Sequence, residues 1–135
     1  MNPYATAQRA YTESSVLTAS PERLVVMLYD GAIRFLKQAA VAERGGQHQM
    51  FLDRLRRAEA IIDELNVTLD MSQGEVAARL RSIYLFCKRH LVEAHLKRDP
   101  NQIDVVIRLL SDLRESWQQL AVQGASSAQS AAAAG

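Results

Sequence analysis

Helix-breaking residues divide this chain into four stretches of helical length. The 135 residues contain only three Pro and six Gly. Ser20 followed by Pro21 is a helix start signal, because Ser caps an N-terminus and Pro is favoured in the first turn. The stretches "RGGQ", "MSQGE" and "RDPNQ" supply the later breaks. Four segments result, near 21–43, 48–71, 75–98 and 102–122. None alternates like a strand, and short connections favour antiparallel neighbours. The sequence therefore predicts an all-α, antiparallel up-down-up-down four-helix bundle.

Both ends of the chain differ from this bundle, which the pattern places at residues 20–122. Residues 1–19 are mostly polar, with Tyr11, Val16 and Leu17 interspersed, and predict an N-terminal arm or short helix. Residues 123–135 are rich in Ala and Ser and carry no charge. Because they lack large apolar side chains, we expect them to form a disordered tail.

Charge and cysteine content exclude several classes of protein. Lys and Arg number 16 against 15 Asp and Glu, a net charge of +1, so no strong field attracts nucleic acid or acidic membrane. A single Cys allows no internal disulfide and suits a reducing compartment. The N-terminus does not resemble a signal peptide, and no apolar run approaches the roughly 20 residues that span a bilayer. We expect a cytoplasmic protein without nucleic-acid binding or membrane insertion.

The second and fourth segments each carry one apolar face, as core-facing helices do. On the second segment the face consists of Phe51, Leu55, Ala58, Ile62, Leu65 and Leu69. On the fourth it consists of Ile103, Val106, Ile107, Leu110, Leu113, Trp117 and Leu120. Both faces are predicted to be core.

The first and third segments are different, because each carries apolar residues on two faces. The predicted core stripe of the first is Leu24, Leu28, Gly31, Phe35 and Ala39, with Val26, Tyr29 and Ile33 roughly 140–200° away. The predicted core stripe of the third is Val76, Leu80, Ile83, Tyr84, Cys87, Leu91 and Ala94, with Leu85, Val92 and Leu96 on the opposite side. A four-helix bundle cannot bury opposite faces of one helix by itself, and large exposed apolar patches mark partner sites. We therefore predict a partner surface on the second stripes, with self-association into a homodimer as the alternative.

Catalytic and metal-binding patterns are missing from the sequence. There is no glycine-rich phosphate loop, and Cys87 falls on a core stripe, where a Cys is inert packing. His90 and His95 are five residues apart and diverge on a helix, so they predict no metal pair. We expect no enzyme activity, no metal and no cofactor. One rival is a histidine phosphotransfer module, because "EAHLKRD" around His95 is similar to the A-H-x-L-K-G pattern of those bundles. Arg98 and a shifted register depart from that pattern.

The stretch "LTASPERLVVMLYDGAIRFL" resembles the signature of the FliS family, the cytoplasmic export chaperones of flagellin. The matching residues are Thr18, Ser20, Pro21, Leu24, Val25, Met27, Leu28, Tyr29, Asp30 and Gly31. The stretches "LNVTLD" and "IDVVIRLLSDLRESWQQL" are similar to later elements of that family. Together they cover about residues 4–122.

This resemblance implies a helical bundle that binds the disordered C-terminal region of flagellin, prevents premature polymerisation and delivers it to an export-gate protein. It supplies a ligand for the spare stripes, so Val26, Tyr29, Ile33, Leu85, Val92 and Leu96 are the predicted client contacts. It also implies that the N-terminal arm lies over part of the groove when no client is bound. Tyr11, Val16 and Leu17 are the predicted covering residues.

Overall fold

Four helices form a ring in chain order. The computed structural model describes residues 19–134, with the side chains of Gln73 and of residues 124–134 left out. The elements are α1 (Pro21–Arg44), α2 (His48–Val67), a 3₁₀ turn (Met71–Gln73), α3 (Glu75–Lys97) and α4 (Pro100–Ala134). Helix α1 packs against α2 and α4, and α3 packs against the same two helices. The predicted all-α bundle is confirmed.

Ion pairs and hydrogen bonds at both ends of α1 define its direction relative to α4. Arg44, at the end of α1, lies 2.8 Å from the carboxylate of Asp104, near the start of α4. At the opposite end, the Arg23 guanidinium donates to Gln118 at 3.2 Å. The two helices are therefore antiparallel, as their order around the ring requires.

The helix boundaries follow the breakers identified in the sequence. Ser20 caps α1, since its hydroxyl accepts a hydrogen bond from the backbone N–H of Arg23 at 3.2 Å. The turns before α2 and before α3 each contain a glycine with positive φ, Gly46 at 73° and Gly74 at 68°. Arg98 ends α3 in the left-handed region at φ 50°, which a glycine would adopt with less strain. The chain therefore changes direction within the few residues between α3 and α4.

The core lies at the centre of the ring and draws on all four helices. The predicted faces of α2 and α4 are largely confirmed, with Leu69 partly exposed and Leu120 exposed at their ends. On α3 the predicted core holds from Leu80 onward, but Val76 is 65% exposed because it lies in the first turn. Fully buried large side chains include Phe51, Ile62, Leu65, Leu91, Ile103, Val106 and Leu110.

The two faces of α1 are the main correction to the sequence prediction. Val26 and Tyr29 are fully buried and Ile33 is only 9% exposed, so the exposed partner stripe predicted on this helix is wrong. Leu24 and Leu28, predicted to be core, are partly exposed instead. Both sets have helical i, i+3/i+4 spacing, so periodicity alone could not choose between them. The choice depends on which face meets α3 and α4.

Small side chains allow α2 to approach another side of α1. Gly31 is buried, and a Cβ added there would lie 3.2 Å from Cδ1 of Ile61 on α2. Ala32 and Ala39 are also fully buried. The close approach that explains a mid-helix glycine is therefore present, although the nearest neighbour is a side-chain tip rather than backbone.

The two ends of the chain complete the comparison with the sequence. Helix α4 continues to Ala134 and so enters the segment 123–135, for which composition predicts disorder. Ala has the highest helix propensity of any residue, which favours this continuation. Tyr11, Val16 and Leu17, the predicted groove-covering residues, lie outside the described residues.

Candidate functional site

An apolar stripe is exposed along α3, opposite the face that packs in the core. Leu85 is 45% exposed, Val92 52% and Leu96 77%. Their spacing of seven and four residues keeps them on one side of the helix. The exposure predicted for this set is therefore confirmed, whereas contact with a client stays a prediction. We call these three residues the α3 stripe.

A shallow hollow interrupts the α3 stripe. It lies between Leu85 and Val92, with Lys88 and Arg89 as its other walls, and has a volume of about 330 Å³. A hollow bounded by four residues on two successive turns of one helix accepts a single side chain from a partner, as in knobs-into-holes packing. The hollow therefore suits one apolar anchor of a docking helix.

A second apolar surface lies at one end of the bundle, between α1 and α2. It is a groove of about 640 Å³ lined by Pro21, Leu24, Val25, Met27, Leu28, Glu64 and Thr68. We call it the end groove. The sequence prediction missed it because Leu24 and Leu28 were assigned to the core. Their position beside the helix start, where the bundle ends, is the one signal that favours exposure.

An adjoining pocket extends the end groove into the bundle. It has a volume of about 210 Å³ and shares Val25 and Thr68 with the groove. Its wall includes Leu65, Tyr84 and Trp117, so it reaches α2, α3 and α4. The end of the bundle is therefore less tightly filled than its centre.

Tyr29 contributes to the core instead of to a client surface. Its hydroxyl lies 2.5 Å from that of Tyr84, and their ring centroids are 6.4 Å apart. Burial raises the pKa of Tyr29, and the hydrogen bond with Tyr84 raises it further. Burial also raises the pKa of Tyr84. The pair stays neutral and satisfies two buried polar groups, which explains how a tyrosine can face inward.

The histidines of α3 diverge, as their spacing predicts. His90 packs against Phe86 at a ring distance of 4.3 Å, and its Nδ1 lies 2.7 Å from the side-chain oxygen of Gln102. His95 is exposed near the end of the helix. Phe86 is itself 40% exposed and belonged to neither predicted stripe. These contacts bring no second histidine to His95.

Reactive groups are not assembled in the described part of the chain. Cys87 is fully buried, and burial raises the pKa of its thiol to about 11. A low thiolate fraction makes it a poor nucleophile. Within residues 19–134, no group of three or more His, Cys, Asp or Glu could hold a metal ion. No helix of that region has the length and apolar character needed to cross a membrane.

Comparison with known proteins places this architecture in a family. The family model described as "Flagellar protein FliS" matches residues 3–124. The Flagellar secretion chaperone FliS of Bacillus subtilis (strain 168) is 36% identical over 118 residues, covering 87% of this chain and 85% of the relative. The protein of the same name from Salmonella typhimurium is 37% identical over 110 residues, covering 80% and 82%. A third, from Vibrio cholerae, is 32% identical over 114 residues, covering 84% of each chain. The chain belongs to the FliS family.

Proposed function

We propose that this protein is a cytoplasmic flagellar secretion chaperone that binds the disordered C-terminal region of flagellin. Its relatives carry the name of secretion chaperone. The single observation that carries the client-binding part is the exposed α3 stripe, on a helix whose opposite face is already buried. Such a surface remains in contact with water until a partner covers it. The six predicted contacts thereby reduce to Leu85, Val92 and Leu96, because Val26, Tyr29 and Ile33 cannot reach a client without unfolding α1.

The stripe favours a client that becomes helical on binding. An amphipathic segment presents apolar side chains at i, i+3/i+4 and i+7, and three exposed side chains on α3 recur at comparable intervals. Covering these side chains removes apolar area from water, which stabilises the complex by about 25 cal/mol per Å² of buried area. A flagellin segment held this way cannot use the same apolar face to polymerise. Chaperoning then requires no chemical step.

The end groove supplies a second proposed contact, for the N-terminal arm. Residue 17 precedes Pro21 by four positions, and an extended chain spans up to about 3.5 Å per residue. The segment is therefore long enough for Val16 and Leu17 to contact Leu24 or Leu28 and for Tyr11 to contact the far end of the groove. We propose that these three arm residues cover the groove between clients. A docked arm would hide apolar surface from other molecules and lower the apparent client affinity.

Delivery completes the proposed role. The loaded chaperone would bring flagellin to an export-gate protein and release it there, so the bundle needs a face that stays accessible with the client bound. Self-association into a homodimer remains the alternative use of the exposed stripe. A phosphotransfer module using His95 is the other alternative.

Co-purification with the cognate flagellin tests the proposal. Full-length flagellin should be retained by the tagged chaperone, and flagellin without its C-terminal region should not. Equal retention of both forms would contradict the proposed client segment. Retention of neither, together with a stable dimer or with phosphate transfer to His95, would support one of the alternatives.

A further inference from the structure

We infer that Arg81 and Arg89 recognise carboxylates on the client, so that the segment bound to the α3 stripe is an amphipathic helix with an acidic residue on each side of its apolar face. This inference rests on the proposed function and adds a chemical requirement to it. The apolar stripe provides contact area but does little to determine the orientation of the bound segment. Charges placed beside it can select the segment and fix its orientation.

The two arginines are placed on opposite sides of the stripe. At 100° per residue, Arg81 lies about 40° from Leu85 in one direction and Arg89 about 40° in the other. They are eight residues apart, which corresponds to about 12 Å along the helix. Both are exposed, and Arg89 also lines the hollow between Leu85 and Val92. A helix lying along the stripe would pass between the two guanidinium groups.

Other charges around the stripe already have partners on this chain. Lys88 lies 2.5 Å from the carboxylate of Asp63 on α2. Lys97 lies 4.0 Å from Glu93, one turn away on α3. Across the described side chains, by contrast, neither Arg81 nor Arg89 forms an ion pair. These two cations are therefore available to a partner.

Docking changes the environment of both arginines. A helix packed on Leu85 and Val92 removes water from the flanks, which raises the free energy of an unpaired cation there. A carboxylate opposite each guanidinium offsets this loss, and Arg binds carboxylates through two parallel hydrogen bonds. A segment with Lys or Arg at the same positions would be repelled. The stripe therefore favours acidic over basic amphipathic segments.

The same charges disfavour a second copy of this chain as the occupant. In a two-fold symmetric dimer the same patch meets itself. Pairing two α3 stripes would place Arg81 and Arg89 of both protomers along the edges of the same contact. Four cations would then surround one apolar contact. A foreign acidic segment avoids this repulsion.

Neutralising both arginines tests the inference. The double variant Arg81→Gln/Arg89→Gln should bind a labelled flagellin C-terminal segment about 2- to 25-fold more weakly at low salt, since exposed ion pairs contribute about 1.4- to 5-fold each. The loss should shrink between about 50 mM and about 300 mM salt, because salt screens exposed charges. Fluorescence anisotropy measures both the affinity and its dependence on salt. The matched control is Arg79→Gln/Arg108→Gln, which removes the same charge from exposed positions away from the stripe and should bind like the wild type.

Two outcomes would overturn the inference, and they differ in what else they overturn. In the first outcome, the wild type binds the segment, Leu85→Asp does not bind it, and the Arg81/Arg89 variant keeps the affinity and salt dependence of the wild type. The acidic requirement is then wrong, and the proposed function stands. If the wild type itself does not bind the segment, the proposed function fails with it.

Discussion

The hydroxyl of Tyr29 lies 2.5 Å from the hydroxyl of Tyr84, deep in the core. The pair joins α1 to α3 across the diagonal of the ring, where the two helices otherwise have few contacts. Either hydroxyl can donate while the other accepts, so the pair links the two helices without burying a charge. Val26 and Ile33 face inward together with Tyr29, and Leu24 and Leu28 lie nearer the surface.

Removing both hydroxyls should cost less than the sum of removing each one alone. Tyr84→Phe leaves the Tyr29 hydroxyl buried without this partner, which costs about 1–3 kcal/mol of unfolding free energy. The double variant Tyr29→Phe/Tyr84→Phe leaves no unpaired hydroxyl and should lose less than the sum of the two single changes. Urea unfolding of all four proteins gives the coupling. Strictly additive losses would show that the hydrogen bond does not stabilise the fold.

Alkaline pH should destabilise the bundle in two steps. Burial raises the pKa of Cys87 from 9.0 to about 11, so the unfolded chain releases this proton first. Because the unfolded state then binds fewer protons, stability is fully present below about pH 9 and falls as the pH rises towards 11, by at most about 1.4 kcal/mol per pH unit. The raised pKa values of Tyr29 and Tyr84 add a decline with the same sign from about pH 10.

Denaturant unfolding at several pH values would measure this decline. In Cys87→Ala the slope between about pH 9 and 10 should be smaller than in the wild type, whatever its stability at neutral pH. An unchanged slope would mean that Cys87 does not titrate in this way.

Two leucines should differ in their contribution to stability. Leu110 is fully buried, so Leu110→Ala should cost about 2–5 kcal/mol, the usual range for a large-to-small change in a core. Leu28 lines the end groove and is partly exposed, so Leu28→Ala should cost clearly less. Chemical denaturation at neutral pH compares them. Equal losses would indicate that the end groove is filled in solution.

Aspartate substitutions should separate the two faces once predicted to be equivalent. Ile33→Asp places a carboxylate in the core, where an unpaired charge is costly, and should unfold the bundle or lower its melting temperature strongly. Leu85→Asp lies at an exposed position and should leave the melting temperature nearly unchanged. Circular dichroism with heating measures both. A folded, stable Ile33→Asp variant would contradict the burial of this face.

The fold could be predicted because its signals are local. Ser20, Gly46 and Gly74 mark helix ends through capping and backbone preference, which depend on a few neighbouring residues. Helices α2 and α4 each have a single apolar face, so only one orientation of each helix buries that face in the core. The second stripe on α3 was also predictable, since Leu85 and Leu96 lie opposite the continuous run from Leu80 to Ala94.

The face of α1 could not be predicted from the same kind of signal. Two runs on this helix have helical spacing, and one of them contains Tyr29, whose hydroxyl needs a hydrogen-bond partner when it is buried. Only the position of Tyr84, 55 residues later in the chain, makes that burial favourable. Gly31 and Ala32 add a further buried side that periodicity does not distinguish. The end groove was missed for the same reason.

The affinity of the isolated flagellin C-terminal segment for stripe variants tests the central claim most directly. Calorimetry should show tight binding to the wild type and to Val41→Asp, a control that places the same charge at an exposed apolar position on α1. Binding to Leu85→Asp/Val92→Asp should be weakened at least about 100-fold, because two charges would enter an apolar contact. Equal affinity of all three proteins, with the bundle still folded, would contradict the account.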